Sequence, residues 1–145
     1  MAKFISALFF SLLLVGCQTT SQQLATNSFK FEAEKMQVKE AVVATFVSRG
    51  YQVSNDSDFI LAFDRPIDNN FAAQMLLGST FNSVPNARVT FTFTGSSPTT
   101  VVSNLSAISN PGSGFEKTVD MNNNADGRAV VEKAMLEVRQ KLNAS

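Results

Sequence analysis

The chain has 145 residues, of which 12 are basic and 12 acidic, with one cysteine and no histidine. This length suits one domain, and the 44% hydrophobic and 17% charged residues argue against a wholly disordered chain. The lack of histidine removes the commonest general base and the commonest metal ligand. A single cysteine forms no internal disulfide. The balanced charge provides no basic surface of the kind that binds nucleic acid. We therefore expect no cofactor, no metal site and no nucleic-acid partner.

The first element along the chain is a short apolar run behind a positive charge. Lys3 precedes twelve largely apolar residues from Phe4 to Val15, and the small Gly16 follows them. The run is shorter than the about 20 residues that a helix needs to cross a bilayer, and its flanks are those of a secretory signal peptide. We therefore predict that residues 1–16 are a cleaved signal peptide.

The end of this segment, Leu14-Val15-Gly16-Cys17, resembles the lipobox of bacterial lipoproteins. The resemblance implies diacylglycerol on the Cys17 sulfur, cleavage between Gly16 and Cys17, and commonly acylation of the new amino terminus, with palmitate as the expected acyl group. Gln18, which stands where some lipoproteins have Asp, resembles lipoproteins sorted to the outer membrane. An ordinary secretory signal with a chance cysteine, an uncleaved anchor and an inner-membrane location stay open as alternatives.

The residues behind Cys17 predict a tether and a single domain. Residues 17–27 are polar apart from Leu24, so they bury too little surface to fold and should act as a flexible tether. Loss of Lys3 with the signal peptide leaves 11 basic and 12 acidic side chains, without a polybasic patch to reinforce membrane binding. We expect residues 28–145 to form one α+β domain that faces the periplasm.

The first half of this domain predicts a strand, a helix and a hairpin. Residues 28–34 alternate apolar and polar or charged side chains, as in a half-buried strand. Apolar residues at helical spacing follow from about Gln37 to Arg49, with Gly50 as a C-terminal cap. Two short runs, 51–53 and 59–63, predict the strands of a hairpin.

The second half predicts a short helix over 71–77, three strands and a long final helix. The strands are expected over 88–94, 99–108 and 115–121, and the helix over 125–142 with one apolar stripe. Phenylalanines at a spacing of two indicate core packing on the strands; they are Phe29, Phe31, Phe59, Phe63, Phe91 and Phe93.

The element order predicts an α+β fold, with a largely antiparallel sheet and two main helices packed on one face. This layout is similar to the small helix-on-sheet domains of envelope assembly lipoproteins such as BamC. The likeness concerns layout alone, and layout does not determine function.

The run Asn122-Asn123-Asn124-Ala125-Asp126-Gly127 partly matches the pattern that opens an EF-hand calcium loop. Its first ligand is Asn instead of Asp, and Lys133 stands at the twelfth place, where a bidentate Glu is needed. We therefore interpret the run as a helix entry in which Asn123 or Asn124 caps the first turn.

Two other polar runs are more typical of turns than of a catalytic or phosphate-binding site. The carboxylates of Asp56 and Asp58 lie in a turn-forming segment, whereas paired catalytic carboxylates need burial to separate their pKa values. Pro111-Gly112-Ser113-Gly114 lacks the lysine and the strand–loop–helix setting of a phosphate-binding loop. We assign no catalytic residue.

The least regular part of the chain carries a candidate binding patch. Phe71, Met75 and Phe81 lie there, so a functional apolar surface is expected between Phe71 and Pro85.

These observations favour a non-catalytic envelope lipoprotein that binds another envelope protein or supports an assembly. A cell-envelope hydrolase using Asp and Glu is the alternative, and it requires two carboxylates facing each other across a cleft. A lipoprotein that binds a small apolar ligand between sheet and helices is a third possibility.

Overall fold

The computed structural model describes residues 27–67 and 84–144. Within these ranges the chain forms two helices and a six-stranded antiparallel sheet, which confirms the predicted α+β class. The elements in chain order are β1 (Ser28–Phe31), α1 (Lys35–Val47), β2 (Gln52–Asp56), β3 (Ile60–Pro66), β4 (Asn86–Thr94), β5 (Thr99–Ser109), β6 (Lys117–Asp120) and α2 (Ala125–Ala144).

Some predicted features lie outside the described residues. The short helix expected over 71–77 is one of them, and so is most of the tether. The predicted site residues in the same position are Gly16, Cys17, Phe71, Met75 and Phe81. Neither of the two described helices is both long and apolar enough to cross a bilayer.

The sheet is organised around β5, which pairs with three other strands. The strand order is β1-β5-β4-β3-β2, and β6 pairs with the edge of β5 that also carries β1. Between these two short strands, the Ser103 N–H donates to the Asn27 carbonyl at 2.7 Å. The Leu105 N–H donates to Asn122 Oδ1 at 2.9 Å. The gap between β1 and β6 is therefore hydrogen-bonded as well.

The strands alternate between a helix-facing side and an outer side. On β4, Val89, Phe91 and Phe93 are buried, whereas Arg88 and Thr92 lie on the opposite side of the sheet. The buried residues of both helices join the helix-facing side in one hydrophobic cluster. The helices contribute Val38, Val42, Phe46, Val131, Ala134, Met135 and Val138.

The first helix ends in a Schellman motif. The Tyr51 N–H donates to the Phe46 carbonyl at 3.1 Å, and the Gly50 N–H donates to the Val47 carbonyl at 3.0 Å. Gly50 has a φ of +82°, which a residue without a Cβ adopts at little cost. The predicted role of Gly50 as a C-terminal cap is confirmed.

The same cap supplies the centre of the aromatic core. The Phe46 ring is 5.3 Å from the Tyr51 ring, 5.1 Å from that of Phe63 and 5.0 Å from that of Phe91. Edge-to-face and offset contacts of this kind add to the stabilisation that burial gives. The C-terminal turn of α1 is therefore packed directly on β3 and β4.

Two phenylalanines that the sequence places on strands are exposed in loops. Phe59 precedes β3, in the turn where the Ser57 N–H donates to the Ile60 carbonyl at 2.8 Å. Phe115 precedes β6, which begins only at Lys117. The prediction of core packing for Phe59 and of a strand start at Phe115 was wrong. Phe59 is exposed although its carbonyl still accepts the Phe93 N–H at 2.8 Å, and the φ angles near +75° at Gly112 and Gly114 bend the chain before β6 begins.

Two glycines with similar backbone conformations allow a stability test. Gly95 lies in the turn between β4 and β5, and Gly112 lies in the loop between β5 and β6. Gly95 and Gly112 have nearly equal φ angles of +75° and +74°. A Cβ on Gly95 would lie 2.6 Å from the Pro98 carbonyl oxygen, whereas a Cβ on Gly112 meets nothing within 4 Å. Gly112→Ala should therefore cost about 1–2 kcal/mol from the left-handed conformation alone.

Gly95→Ala should cost about 3 kcal/mol, because the backbone at Pro98 must also move. Urea unfolding of residues 18–145, which contain the whole hydrophobic cluster, measures both values. Equal losses for the two variants would contradict the close approach at Gly95.

Candidate functional site

The asparagine run before α2 serves the fold. The Asn124 side-chain oxygen accepts the Gly127 N–H at 2.7 Å, which confirms the predicted helix cap. The Asn122 side-chain oxygen accepts the Leu105 N–H, and the Asn122 N–H donates to Asp120 Oδ1 at 2.7 Å. Two of the three side chains at the ligand positions of the calcium-loop pattern therefore hold backbone groups, and no cluster of three Cys, Asp or Glu side chains in the described ranges is placed to bind a metal.

One of the two carboxylates near the first hairpin, that of Asp56, is held by a structural contact. Asp56 forms a salt bridge with Lys39, whose ammonium also donates to the Ser57 carbonyl at 2.8 Å. The Ile60 N–H donates to Ser57 Oγ at 3.1 Å and closes the turn. The predicted hairpin is confirmed, and Asp56 ties that hairpin to α1.

The outer side of the sheet carries a cross-strand ion pair. Arg88 on β4 donates two hydrogen bonds to the Asp64 carboxylate on β3, at 2.6 and 2.7 Å. The Ser54 hydroxyl donates to the same carboxylate at 3.2 Å. The hydrogen bonds to Asp64 raise the pKa of the Arg88 guanidinium; burial opposes this rise, and the charges of Asp64 and Glu116 add to it. The pair is a closed structural unit with its hydrogen-bonding groups directed at each other.

The loop over residues 110–116, which we call the Phe115 loop, is held by its own hydrogen bonds. The Ser113 hydroxyl donates to the Asn110 carbonyl at 2.7 Å and accepts the Phe115 N–H at 3.2 Å. The Gly112 N–H donates to the Glu116 carboxylate at 2.6 Å. This self-bonded loop leaves the Phe115 side chain 83% exposed. The predicted hairpin loop is confirmed, and it displays a large apolar group.

The Phe115 loop lies at the end of the sheet from which residues 68–83 also depart. There Asn86 pairs with both Pro66 and Ile108, and the Ile67 N–H donates to the Pro85 carbonyl at 2.9 Å. Val84 is 57% exposed beside this junction. We call this the Phe115 end of the sheet. Both ends of the segment that contains the predicted patch are thus fixed to central strands.

The opposite end of the sheet also exposes apolar side chains. Phe59 is 60% exposed there, and the Lys35 ammonium lies 4.4 Å from the centre of its ring. Met36 and Ile60 are exposed in the same region. The two ends are about 27 Å apart along β4, so Phe59 and Phe115 report on separate surfaces.

Sequence reasoning missed Phe115 as a surface residue. Gly112 and Gly114 both have φ angles near +75°, so they bend the chain before the strand can start. The signal available in the sequence was Gly-Ser-Gly directly before an aromatic residue, which is typical of a loop as much as of a strand start.

Comparison with known proteins gives this site no precedent: no family model, no curated protein and no solved structure matches the chain.

A double-mutant cycle tests the ion pair on the outer side of the sheet. Arg88→Leu leaves the Asp64 carboxylate, which is only 16% exposed, without its main partner, so it should cost about 2 kcal/mol. Asp64→Leu should lower the free energy of unfolding by about the same amount. The double variant should lower it by less than the sum of the two single losses, because it leaves neither charge without its partner. Urea unfolding of residues 18–145 gives all three values.

The exposed pair of Lys30 and Glu32, 2.9 Å apart, is the matched control. Its removal should change the free energy of unfolding by less than about 1 kcal/mol. If Arg88→Leu were no more costly than Lys30→Leu, the closed unit described above would not exist in solution.

Proposed function

We propose that this protein is a lipid-anchored lipoprotein of the bacterial cell envelope that acts by binding another envelope protein, without catalysing a reaction. The lipobox-like Leu14-Val15-Gly16-Cys17 supports the anchor, with diacylglycerol on Cys17 after cleavage behind Gly16. Gln18 supports an outer-membrane location with the domain in the periplasm.

The observation that carries the binding role is the ordered display of Phe115. Five loop residues are tied by hydrogen bonds while this phenylalanine stays 83% exposed. Exposure of a large aromatic on an ordered surface is unfavourable in water, and aromatic side chains are enriched among the residues that dominate protein interfaces. Val84, at the same end of the sheet, is also exposed.

The segment that departs from this end supplies the rest of the proposed partner surface. Phe71, Met75 and Phe81 all belong to it, and its two ends meet at Ile67 and Pro85. Because β3 and β4 lie inside the sheet, a partner that grips this segment would be linked to the core of the domain.

A surface role also agrees with the interior packing. Phe46, Phe63 and Phe91 meet in the layer between sheet and helices, where a small apolar ligand would otherwise have to lie. Asp56, one of the two carboxylates in the first hairpin turn, is engaged with Lys39. Both findings support binding at the exposed ends of the sheet over chemistry in the interior.

The anchor predicts a specific loss in Cys17→Ser. Without the sulfur no diacylglycerol can attach, and the acyl chains, each contributing about 0.8 kcal/mol per buried CH₂, are lost. The variant should incorporate almost no labelled palmitate and should leave the membrane fraction or remain unprocessed. Gln18→Asp is the control, because it retains the acylated cysteine. Normal processing and full membrane retention of Cys17→Ser would refute the anchor.

The partner surface predicts a loss of binding when its large apolar groups are removed. A variant with Phe71→Ala, Met75→Ala and Phe81→Ala should recover at least about tenfold less partner, since one interface anchor contributes about 2 kcal/mol or more. The measurement is affinity purification of the tagged, lipidated chain from membranes, with quantitative mass spectrometry. Phe59→Ala, at the other end of the sheet, should recover the partner as the parent does. Unchanged recovery by the triple variant would remove this surface from consideration.

A further inference from the structure

Of the strands that the structure describes, β2 is the most exposed and pairs along one edge only. All five of its residues, from Gln52 to Asp56, are exposed, and its one pairing is with β3. The other edge therefore presents backbone N–H and C=O groups that can pair with a further strand. These groups define the chemistry of an occupant, which must be another extended segment of polypeptide.

The side of α1 next to this edge is apolar over its second half. Lys39, Val43 and Val47 follow one another at steps of four and so lie in one row along the helix. Lys39 forms a salt bridge with Asp56, the last residue of β2, which places this row on the β2 side of α1. The two valines of the row are therefore close to the strand.

Val43, Val47 and Val53 make up an apolar surface beside β2, which we call the valine edge. Val47 is 50% exposed and Val53 is 44% exposed, whereas Val43 is partly buried against the hydrophobic cluster. The charged residues on the same row and strand, Lys39 and Asp56, are paired with each other. The valine edge therefore offers apolar contact beside a charge pair that is already neutral.

We propose that two copies of this chain pair through the valine edge, with their β2 strands antiparallel about a two-fold axis at Val53. Each Val53 then faces its equivalent in the second copy, and the two sheets become continuous. Both α1 helices lie on the same face of the joined sheet, so the valines of each row approach the axis from opposite sides.

A two-fold contact suits a strand as short as β2. Its register shifts between Val53 and Asn55, so a single added strand would gain few hydrogen bonds. In a two-fold contact the same surface is used by both copies, so every contact forms twice. Asp56 lies three residues from the axis and is held by Lys39, so like charges do not meet at the centre. The pairing uses the β2 edge of both copies and closes at two.

This contact is separate from the partner surface of the proposed function. The Phe115 loop joins β5 to β6, whereas β2 is the last strand on the opposite side of the sheet, about 19 Å from β6 across four strand spacings. The dimer therefore leaves the Phe115 end open, and it does not depend on the lipid anchor.

Self-association is measured by analytical ultracentrifugation of residues 18–145, which contain every described strand and helix and the whole hydrophobic cluster. The chain should shift from monomer to dimer as its concentration rises toward about 1 mM, the range of weak specific contacts. Val47→Lys and Val53→Lys should each weaken the dimer at least about tenfold, because each places like charges near the axis.

Leu136→Lys is the matched control, since Leu136 is 60% exposed on α2 and should leave the dimer unchanged. Urea unfolding of each variant verifies that it still folds. A chain that stays monomeric at every concentration would overturn the proposal, and so would self-association that both valine substitutions leave unchanged.

A disulfide tests the position of the axis, because residues 18–145 contain no cysteine. Facing residues of antiparallel strands have Cα atoms about 4.5–5.5 Å apart, which is within the range that a disulfide spans. In a glutathione redox buffer, Val53→Cys should give at least about tenfold more covalent dimer than Leu136→Cys at equal concentration. Equal yields from the two variants would place any contact elsewhere and refute the axis at Val53.

Hydrogen exchange on the parent chain provides a test without any substitution. The amide protons of β2 should exchange more slowly as the concentration rises, because the second copy covers them. Those of β1, which is also at an edge of the sheet, should exchange at a constant rate. Slowing at β1 without slowing at β2, or at neither strand, would contradict the β2 pairing and leave the anchor and the Phe115 end to their own experiments.

Discussion

Hydrogen bonding along β5 is the interaction on which the rest of the domain depends. One edge of this eleven-residue strand pairs with β4, and the other edge is shared by β1 and β6. Through β1 it fixes the place where the amino-terminal segment joins the domain. Through Asn122, whose side chain accepts the Leu105 N–H, it also fixes the approach to α2. The place of Asn27 at the sheet edge and the approach to the second helix are therefore both consequences of one strand.

The polar side chains that could suggest a catalytic or metal site make structural contacts within the fold, whereas the exposed apolar side chains do not. Asn124 caps a helix, Asp56 links a hairpin to α1, and Asp64 neutralises Arg88 across two strands. The contact at Asp64, which is only 16% exposed, satisfies a charge whose burial alone would be unfavourable. Phe115, in contrast, contributes little to the folded state and stays in water on an ordered loop. This contrast directs the search for function to the ends of the sheet.

Local patterns in the sequence predicted most of the helices and strands. They did not predict which residues at the ends of the strands are exposed. The alternation on β4 and the Gly50 cap follow from side-chain periodicity and from the needs of a left-handed residue, so both could be predicted. Phe59 is exposed although its carbonyl still accepts the Phe93 N–H, and Phe115 is exposed because Gly112 and Gly114 bend the chain before β6, so neither position follows from alternation alone. The sequence therefore predicted an apolar patch only on the segment that begins at Phe71, and the exposure of Phe115 was missed.

The pairing of β1 with β5 also sets an order of events during folding. Ser28 is made early and Val102 late, yet the two residues face each other in the finished sheet. Until β5 is complete, Phe29 and Phe31 have no strand to pack beside, and contacts between such distant parts of a chain form slowly. A chain that emerges with its amino end first therefore exposes these two aromatic side chains until the later strand is complete.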